Sequence, residues 1–386
     1  MEEILMNYLL SEEMKMLKEM AYKFAKNEMA PLSSECDEKE AYTPEIRKKA
    51  GALGLIASWL PEEYGGAGFG VFGNAIITEE ISRVDMGIGL NIVVASFGCE
   101  AIYHFGSETQ KKKYLPPVCQ GKMVSAGAFT EPNAGTDVSG IGTRAVKDGN
   151  DYIINGSKMF ITNATICDFM VVLAITNPDA PKRHDRFGMI IVPADSAGIT
   201  KTKIKGKLGI RASDTGEIAF EDVRVPQENL IGQEGRGFHQ VMHFFDVTRI
   251  MVAAQGIGIS QGCLDAAVRY AKERKAFGTS IGNFQLNQAK LAEMAIRIEA
   301  LRNMVYKAAW LFDQGTPDYT LAAMAKYFGG QTAVFCANAA LEIHGGYGYI
   351  AEYDVQKWYR DAKILELYEG TKEAEIMTIA KVLMNK

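Results

Sequence analysis

The sequence predicts an α+β chain in three parts, helical, then strand-rich, then helical again, and three observations carry that prediction. Apolar residues recur at helical spacing through the first third. Between about Gly121 and Gly237 the texture changes to short β-branched and aromatic runs separated by turn residues. After Pro226 one proline remains, Pro317, across three long amphipathic stretches, a pattern suited to extended helices. The expected parts are residues 1–120, 121–236 and 237–386.

Taken in order, the first part opens at Ser11, whose hydroxyl can accept from the free amides of a helix's first turn. Met14, Leu17, Met20, Ala21, Phe24 and Met29 then share one face until Pro31 closes the segment. That stripe is a core face, and its methionines are packing material. The glycine-rich stretch 63–70 lacks the Gly-Lys-Ser/Thr ending of a phosphate loop and is not placed between a strand and a helix start, so it reads as a turn. In the middle part, strands are expected over 152–154, 169–175, 186–192 and 217–220, with a hairpin turn at Asn155 and Gly156. Helices over 238–275, 287–314 and 319–344 complete the chain. Gly256, Gly258 and Gly262 fall inside the first of these, where small residues let helices approach closely; that placement disfavours a nicotinamide-binding glycine loop.

At 386 residues with 47% hydrophobic side chains, the chain can fill a substantial core. A net charge of −5 offers no electrostatic attraction for a nucleic-acid polyanion. The first ten residues lack the basic lead and apolar run of a secretion signal, and no apolar segment is long enough to span a bilayer, so a cytoplasmic protein is expected. Cys36, Cys99, Cys119, Cys167, Cys263 and Cys336 are scattered without zinc-ligand or redox spacing and read as buried free thiols. His239 and His243 lie one helical turn apart with no carboxylate between them, so packing or surface roles are expected and no metal site.

The chemistry points to residues 367–371, which read Leu-Tyr-Glu-Gly-Thr. Weakly polar surroundings would make the Glu369 carboxylate a stronger base than one in water, because burial disfavours its charged form. Alone, an acid beside a glycine usually just ends a helix. Four further runs accompany it: Ala-Phe-Thr-Glu-Pro-Asn-Ala-Gly-Thr-Asp at 128–137, Met-Phe-Ile-Thr-Asn at 159–163, Arg-Lys-Ala-Phe-Gly at 274–278 and Glu-Ile-His-Gly-Gly-Tyr-Gly at 342–348. These five runs, in this order, resemble the acyl-CoA dehydrogenase family, and the likeness continues through 207–211, 213–215 and 222–226.

The resemblance implies the acyl-CoA dehydrogenase fold, with a helical N-terminal domain, a middle β-domain and a C-terminal domain like a four-helix bundle. It also implies FAD as cofactor. Glu369 would remove the α-proton of an acyl-CoA, its own amide and a flavin ribityl hydroxyl would grip the thioester oxygen, and Gly370 would touch substrate. Some relatives carry the base at the position matching Thr248, and threonine cannot serve as that carboxylate. Asp246 and Arg249 match positions that contact the CoA portion, with an intrahelical ion pair as the competing reading.

By the same likeness, Phe129, Thr130 and Thr136 run along the flavin ring, with Thr136 also reaching substrate, and Phe160, Ile161 and Thr162 form a second flavin strand. Phe160 stands where most relatives have tryptophan and keeps an aromatic face. Arg274, Phe277 and Gln285 match residues that reach the FAD of a neighbouring subunit, an arginine being suited to clamp pyrophosphate. Glu342, Gly345, Gly346 and Thr371 complete the cofactor set, Glu342 replacing a usual glutamine. Lys372 and Glu373 depart from the common pattern.

The resulting expectation is α,β-dehydrogenation of a short or medium-chain, branched or cyclic acyl-CoA, with electrons passed to an electron-transfer flavoprotein, by a homotetramer. Residues 84–104, expected beside the acyl chain, contain no arginine to pair a distal carboxylate, which disfavours a glutaryl-type substrate. An acyl-CoA or nitroalkane oxidase on the same scaffold is the alternative; rapid reaction of the reduced flavin with oxygen would distinguish it. A DNA-binding flavoprotein of this architecture is disfavoured by the acidic balance and by the absence of a basic region after residue 371.

Overall fold

The computed structural model describes residues 10–41 and 44–385. Among the described residues seven α-helices come first: α1 (Glu12–Phe24), α2 (Ser33–Lys39), α3 (Pro44–Ala52), α4 (Gly70–Val84), α5 (Met86–Val93), α6 (Cys99–Phe105) and α7 (Glu108–Cys119). Seven strands follow, β1 (Ser125–Ala128), β2 (Arg144–Asp148), β3 (Asp151–Thr162), β4 (Phe169–Ile175), β5 (Phe187–Pro193), β6 (Ile199–Lys203) and β7 (Thr215–Pro226). The rest is α8 (Gly237–Glu273), a hairpin of β8 (Lys275–Ala276) and β9 (Thr279–Ser280), α9 (Gln285–Asp313), α10 (Tyr319–His344), α11 (Val355–Ala362) and α12 (Lys372–Met384). The α+β order of helices, strands and helices is as the sequence predicts.

The chain forms two compact units, Met1–Ser34 with Phe69–Met86 and Val247–Lys386, and Glu35–Gly68 with Gly87–Asp246. In the first, α4 packs on α1 and α9, and α10 on α9, α11 and α12. Glycines explain how closely these helices approach. A Cβ at Gly258 would lie 2.2 Å from the Glu79 carbonyl oxygen, one at Gly262 would lie 2.4 Å from that of Arg83, and one at Gly256 would lie 2.9 Å from that of Gly329. Buried Glu79 accepts from Lys18 (2.7 Å), Arg302 (3.2 Å) and Tyr306 (2.8 Å). Burial pushes its carboxyl up, but Arg302 and Lys18 more than offset that and hold it below the usual range.

Two local readings change here. Pro31 does not end the helical stretch: α1 passes through a π turn (Ala25–Met29) and a 3₁₀ turn (Ala30–Leu32) into α2. Proline at the start of a new turn is tolerated because its missing amide would have had no helical acceptor. A helix also starts at Gly70, where only a turn was expected. A 3₁₀ turn, Glu62–Tyr64, precedes it instead of a strand, and the first free amides, of Val71 and Phe72, are both taken by Asp313 at 2.8 Å. Those amides therefore have no need of a phosphate.

The second unit is built on the seven-stranded sheet, in the order β1-β4-β2-β3-β7-β6 with β5 paired to β4. β4 and β5 are buried almost end to end, as their unbroken apolar runs require, whereas β3 and β7 alternate buried and open positions over much of their length. Asn155 and Gly156 do not form a hairpin. They lie within β3 at a register shift against β7, with Asn155 exchanging hydrogen bonds with Asp222 at 2.9 Å. The β2–β3 reversal falls at Gly149 and Asn150, where Asp148 pairs with Asp151 and Gly149 takes φ 61°. All six cysteines are buried and stand outside any disulfide. His243 packs edge-on to His104 at 4.5 Å, a packing role.

Candidate functional site

The segment between α11 and α12 presents Glu369 on a strained turn. Glu369 has φ 52° and Gly370 φ 104°, left-handed values that an ordinary side chain disfavours. Such a turn is held only where its surroundings over-determine it. Thr248 Oγ1 on α8 donates to Glu369 Oε2 at 2.7 Å, so the position at which some relatives carry their base lies against the glutamate. Burial raises the Glu369 carboxyl above its ordinary 4.5, opposed by the Thr248 hydrogen bond and by the charges of Arg249 and Lys326. The surroundings are thus as desolvating as the sequence implied but more charged. Gly370 admits the buried Glu375 side chain: a Cβ there would lie 2.1 Å from Glu375 Oε1.

Arg249 Nε pairs with that same Glu375 oxygen at 3.1 Å, a partner the sequence did not indicate. Asp246 is half-buried on α8. Thr371 caps α12, its hydroxyl accepting from the Ala374 amide at 3.2 Å. Tyr368 donates its hydroxyl to Gln255. Lys326, in α10 and 1% exposed, donates to the Gly370 carbonyl. Sequence reasoning missed Lys326 and Glu375. The available signal was a lone lysine within an alanine- and glycine-rich helical stretch.

Arg274, Gly345 and Gly346 come together in a cleft of about 430 Å³, shared with Tyr270, His344 and Tyr347. The Arg274 guanidinium lies 5.6 Å from the Tyr347 ring centre. Nothing approaches the Cβ positions of either glycine, so the backbone there is open to a ligand. Glu342 is exposed and accepts from Lys290 (2.5 Å) and Asn338 (2.9 Å), which hold its carboxyl below the usual range. The neighbouring ammonium tempers the misfit of an acid near phosphate. Phe277 sits at the tip of the β8–β9 turn, 97% exposed, and Gln285 is exposed at the start of α9.

In the strand unit, Phe160 is 65% exposed at φ 59°, turned outward by the second register shift of β3, while Ile161 is buried and Thr162 pairs with Thr215. Phe129 is buried against Phe244, its ring centre 5.2 Å away. The Thr130 carbonyl accepts from the Met159 amide at 2.9 Å, joining the two predicted flavin segments, and Thr136 is exposed beside the open backbone of Gly135. Lys158 organises this region. Fully buried, it donates to the Phe129 carbonyl (3.1 Å) and to Glu131 (2.8 Å), which also accepts from the Gly142 and Thr143 amides. Burial pulls the Lys158 ammonium down to about 8. Sequence reasoning passed over both residues, although Lys158 shares the inward face of β3 with Tyr152 and Ile154.

Known proteins place this arrangement. Three family models match in succession: "Acyl-CoA dehydrogenase, N-terminal domain" at residues 11–122, "middle domain" at 126–223 and "C-terminal domain" at 235–384. The chain is 42% identical to the probable acyl-CoA dehydrogenase YngJ of Bacillus subtilis (strain 168), over 98% of this chain and all of that one. It is 39% identical to the acryloyl-CoA reductase (NADH) of Anaerotignum propionicum, over 99% of this chain and 97% of that one. The solved butyryl-CoA dehydrogenase of Megasphaera elsdenii superposes with a TM-score of 0.94 at 39% identity, covering 98% of this chain and all of that one. Full-length likeness at these identities, joined to the geometry above, shows that the chain belongs to the acyl-CoA dehydrogenase family, oxidoreductases that act on acyl-CoA.

Proposed function

We propose that the protein catalyses FAD-dependent α,β-dehydrogenation of a short-chain acyl-CoA, with Glu369 as the base and an electron-transfer flavoprotein as electron acceptor. The observation that carries this is the Glu369 carboxylate itself, buried enough to be raised in basicity, oriented by Thr248 and held on a left-handed turn. The likeness to proteins named for butyryl-CoA and acryloyl-CoA supports the short acyl chain.

The residues fit a flavin dinucleotide: open glycine backbone and an arginine in one cleft, and an outward aromatic on β3. Arg274, Phe277, Gln285, Glu342, Gly345, Gly346 and Thr371 are proposed to hold it, together with Phe129, Thr130, Thr136, Phe160, Ile161 and Thr162. When bound, FAD supplies the two-electron acceptor for the β-hydride. Ionised Glu369 takes the α-proton, Thr248 keeps the carboxylate aligned, and Gly370, Thr136, Asp246 and Arg249 are assigned to substrate. A homotetramer in the cytoplasm, divided as 1–120, 121–236 and 237–386, completes the proposal.

A second reading is reduction of a short enoyl-CoA, favoured by the likeness to the acryloyl-CoA reductase. There, protonated Glu369 would return its proton to the α-carbon. Anaerobic titration with butyryl-CoA, followed by flavin absorbance, tests the first reading. The native protein should bleach, and Glu369→Gln should keep its flavin while bleaching at least about 10³-fold more slowly. Bleaching at the native rate would remove Glu369 from the role. Reduction of the flavin by an NADH-linked donor followed by its rapid reoxidation by crotonyl-CoA, which is reduced to butyryl-CoA, without reoxidation by an electron-transfer flavoprotein, would favour the reductase.

A further inference from the structure

Charged groups face the Glu369 turn from three helices. Arg249 comes from α8, Lys326 from α10 and Glu375 from α12, while Tyr368 adjoins Glu369 in the chain and Glu366 acts on Lys326. Lys326 and Glu375 are both buried and neither belongs to the chemistry assigned above. The lysine donates to the carbonyl of Gly370, the residue after Glu369. The glutamate occupies the space that a side chain at residue 370 would fill, gives one oxygen to Arg249 at 3.1 Å, and leaves Oε2 buried without a hydrogen-bond partner. A buried lysine and a half-paired buried carboxylate are costly features. Packing alone would be better served by apolar side chains of the same size.

Taking Glu369 as the base inferred above, we propose that Lys326 and Glu375 are positioning residues of opposite electrostatic effect: together they clamp the Glu369–Gly370 turn, and their charges set how readily Glu369 accepts a proton. The charges that act on Glu369 itself are those of Arg249, Lys326 and Glu375. Proton uptake by Glu369 removes one negative charge from beside the two cations, and the negative Glu375 tempers that change. Lys326 opposes proton uptake by favouring the ionised form of Glu369; Glu375 promotes it.

Opposite charges give opposite signatures. The test is the pH dependence of flavin bleaching by saturating butyryl-CoA in the flavin-loaded protein, under single-turnover conditions. Lys326→Met should move the acid limb up by about 1 pH unit, because a positive neighbour is lost, and lower the plateau rate at least about tenfold as the turn loosens. Glu375→Gln, which keeps the shape, should move the limb down by a similar amount. Lys326→Arg should restore the limb more than the plateau, since charge returns but its fit to the Gly370 carbonyl does not.

Unmoved limbs with reduced rates in both variants would overturn the proposal and make the pair structural. Should Lys326→Met fail to fold, the Glu375→Gln limb decides: a downward shift supports the proposal and an unmoved one overturns it. Failure of the base assignment is separately visible, since Glu369→Gln would then bleach normally.

Discussion

Glu369 and Gly370 show how much a single turn demands. Both occupy left-handed backbone, and glycine at 370 answers a second constraint as well, because Glu375 fills the space beside it. Gly370→Ala should therefore destabilise the protein by about 3 kcal/mol, read by thermal unfolding, and abolish bleaching by butyryl-CoA. The direction of the Glu369 shift makes a pH prediction. As the proposed base Glu369 acts ionised, and burial raises its carboxyl above 4.5, so activity should fall as pH drops through that raised value. The acid limb of flavin bleaching should lie above the ordinary glutamate range, and a limb at or below 4.5 would contradict a desolvated base. Glu369 was legible because five runs occurred in order. Lys326 and Glu375 were not, since the one is placed by the Gly370 carbonyl and the other by the Arg249 side chain, contacts that only the fold makes.

Helix α8 and strand β3 illustrate what elements reveal. The glycines of α8 were read as sites of close helix approach, and the backbone carbonyls of Glu79, Arg83 and Gly329 do occupy the space beside them. A carbonyl within a helix cannot swing aside as a side chain can. Gly258→Ala should thus cost about 3 kcal/mol, measured by chemical denaturation, despite alanine's better helix propensity. On β3, Lys158 ties the Phe129 carbonyl and Glu131 into the segment assigned to flavin. Lys158→Met should destabilise by about 3 kcal/mol by stranding Glu131, and should weaken flavin retention on gel filtration. Continuous apolar runs made β4 and β5 legible. Asn155 and Gly156 misled because the residues that favour a tight turn also suit a bulge, and only pairing with β7 distinguishes the two.

Across the whole chain, the exposed Phe277 asks for a partner. A phenylalanine 97% open to water at a hairpin tip is what the proposed assembly would bury. Phe277→Asp should lower the oligomeric state seen by light scattering and release FAD, while leaving the far-ultraviolet dichroism of the subunit unchanged. An intact, flavin-replete assembly would remove Phe277 from that contact. By itself the sequence determined the α+β order, the long helices and the family, and it singled out Glu369 as the proposed base. Each is written in local periodicity or in side-chain order along the chain. The tertiary structure alone decided that Thr248 touches Glu369, that Lys326 and Glu375 face it from separate helices, that Lys158 holds Phe129, and that Asp313 satisfies the start of α4. Glu375 apart, which lies close to Glu369 along the chain, those hydrogen bonds join residues 29 to 242 positions apart, and no local pattern encodes a buried charge's partner until folding removes water from both.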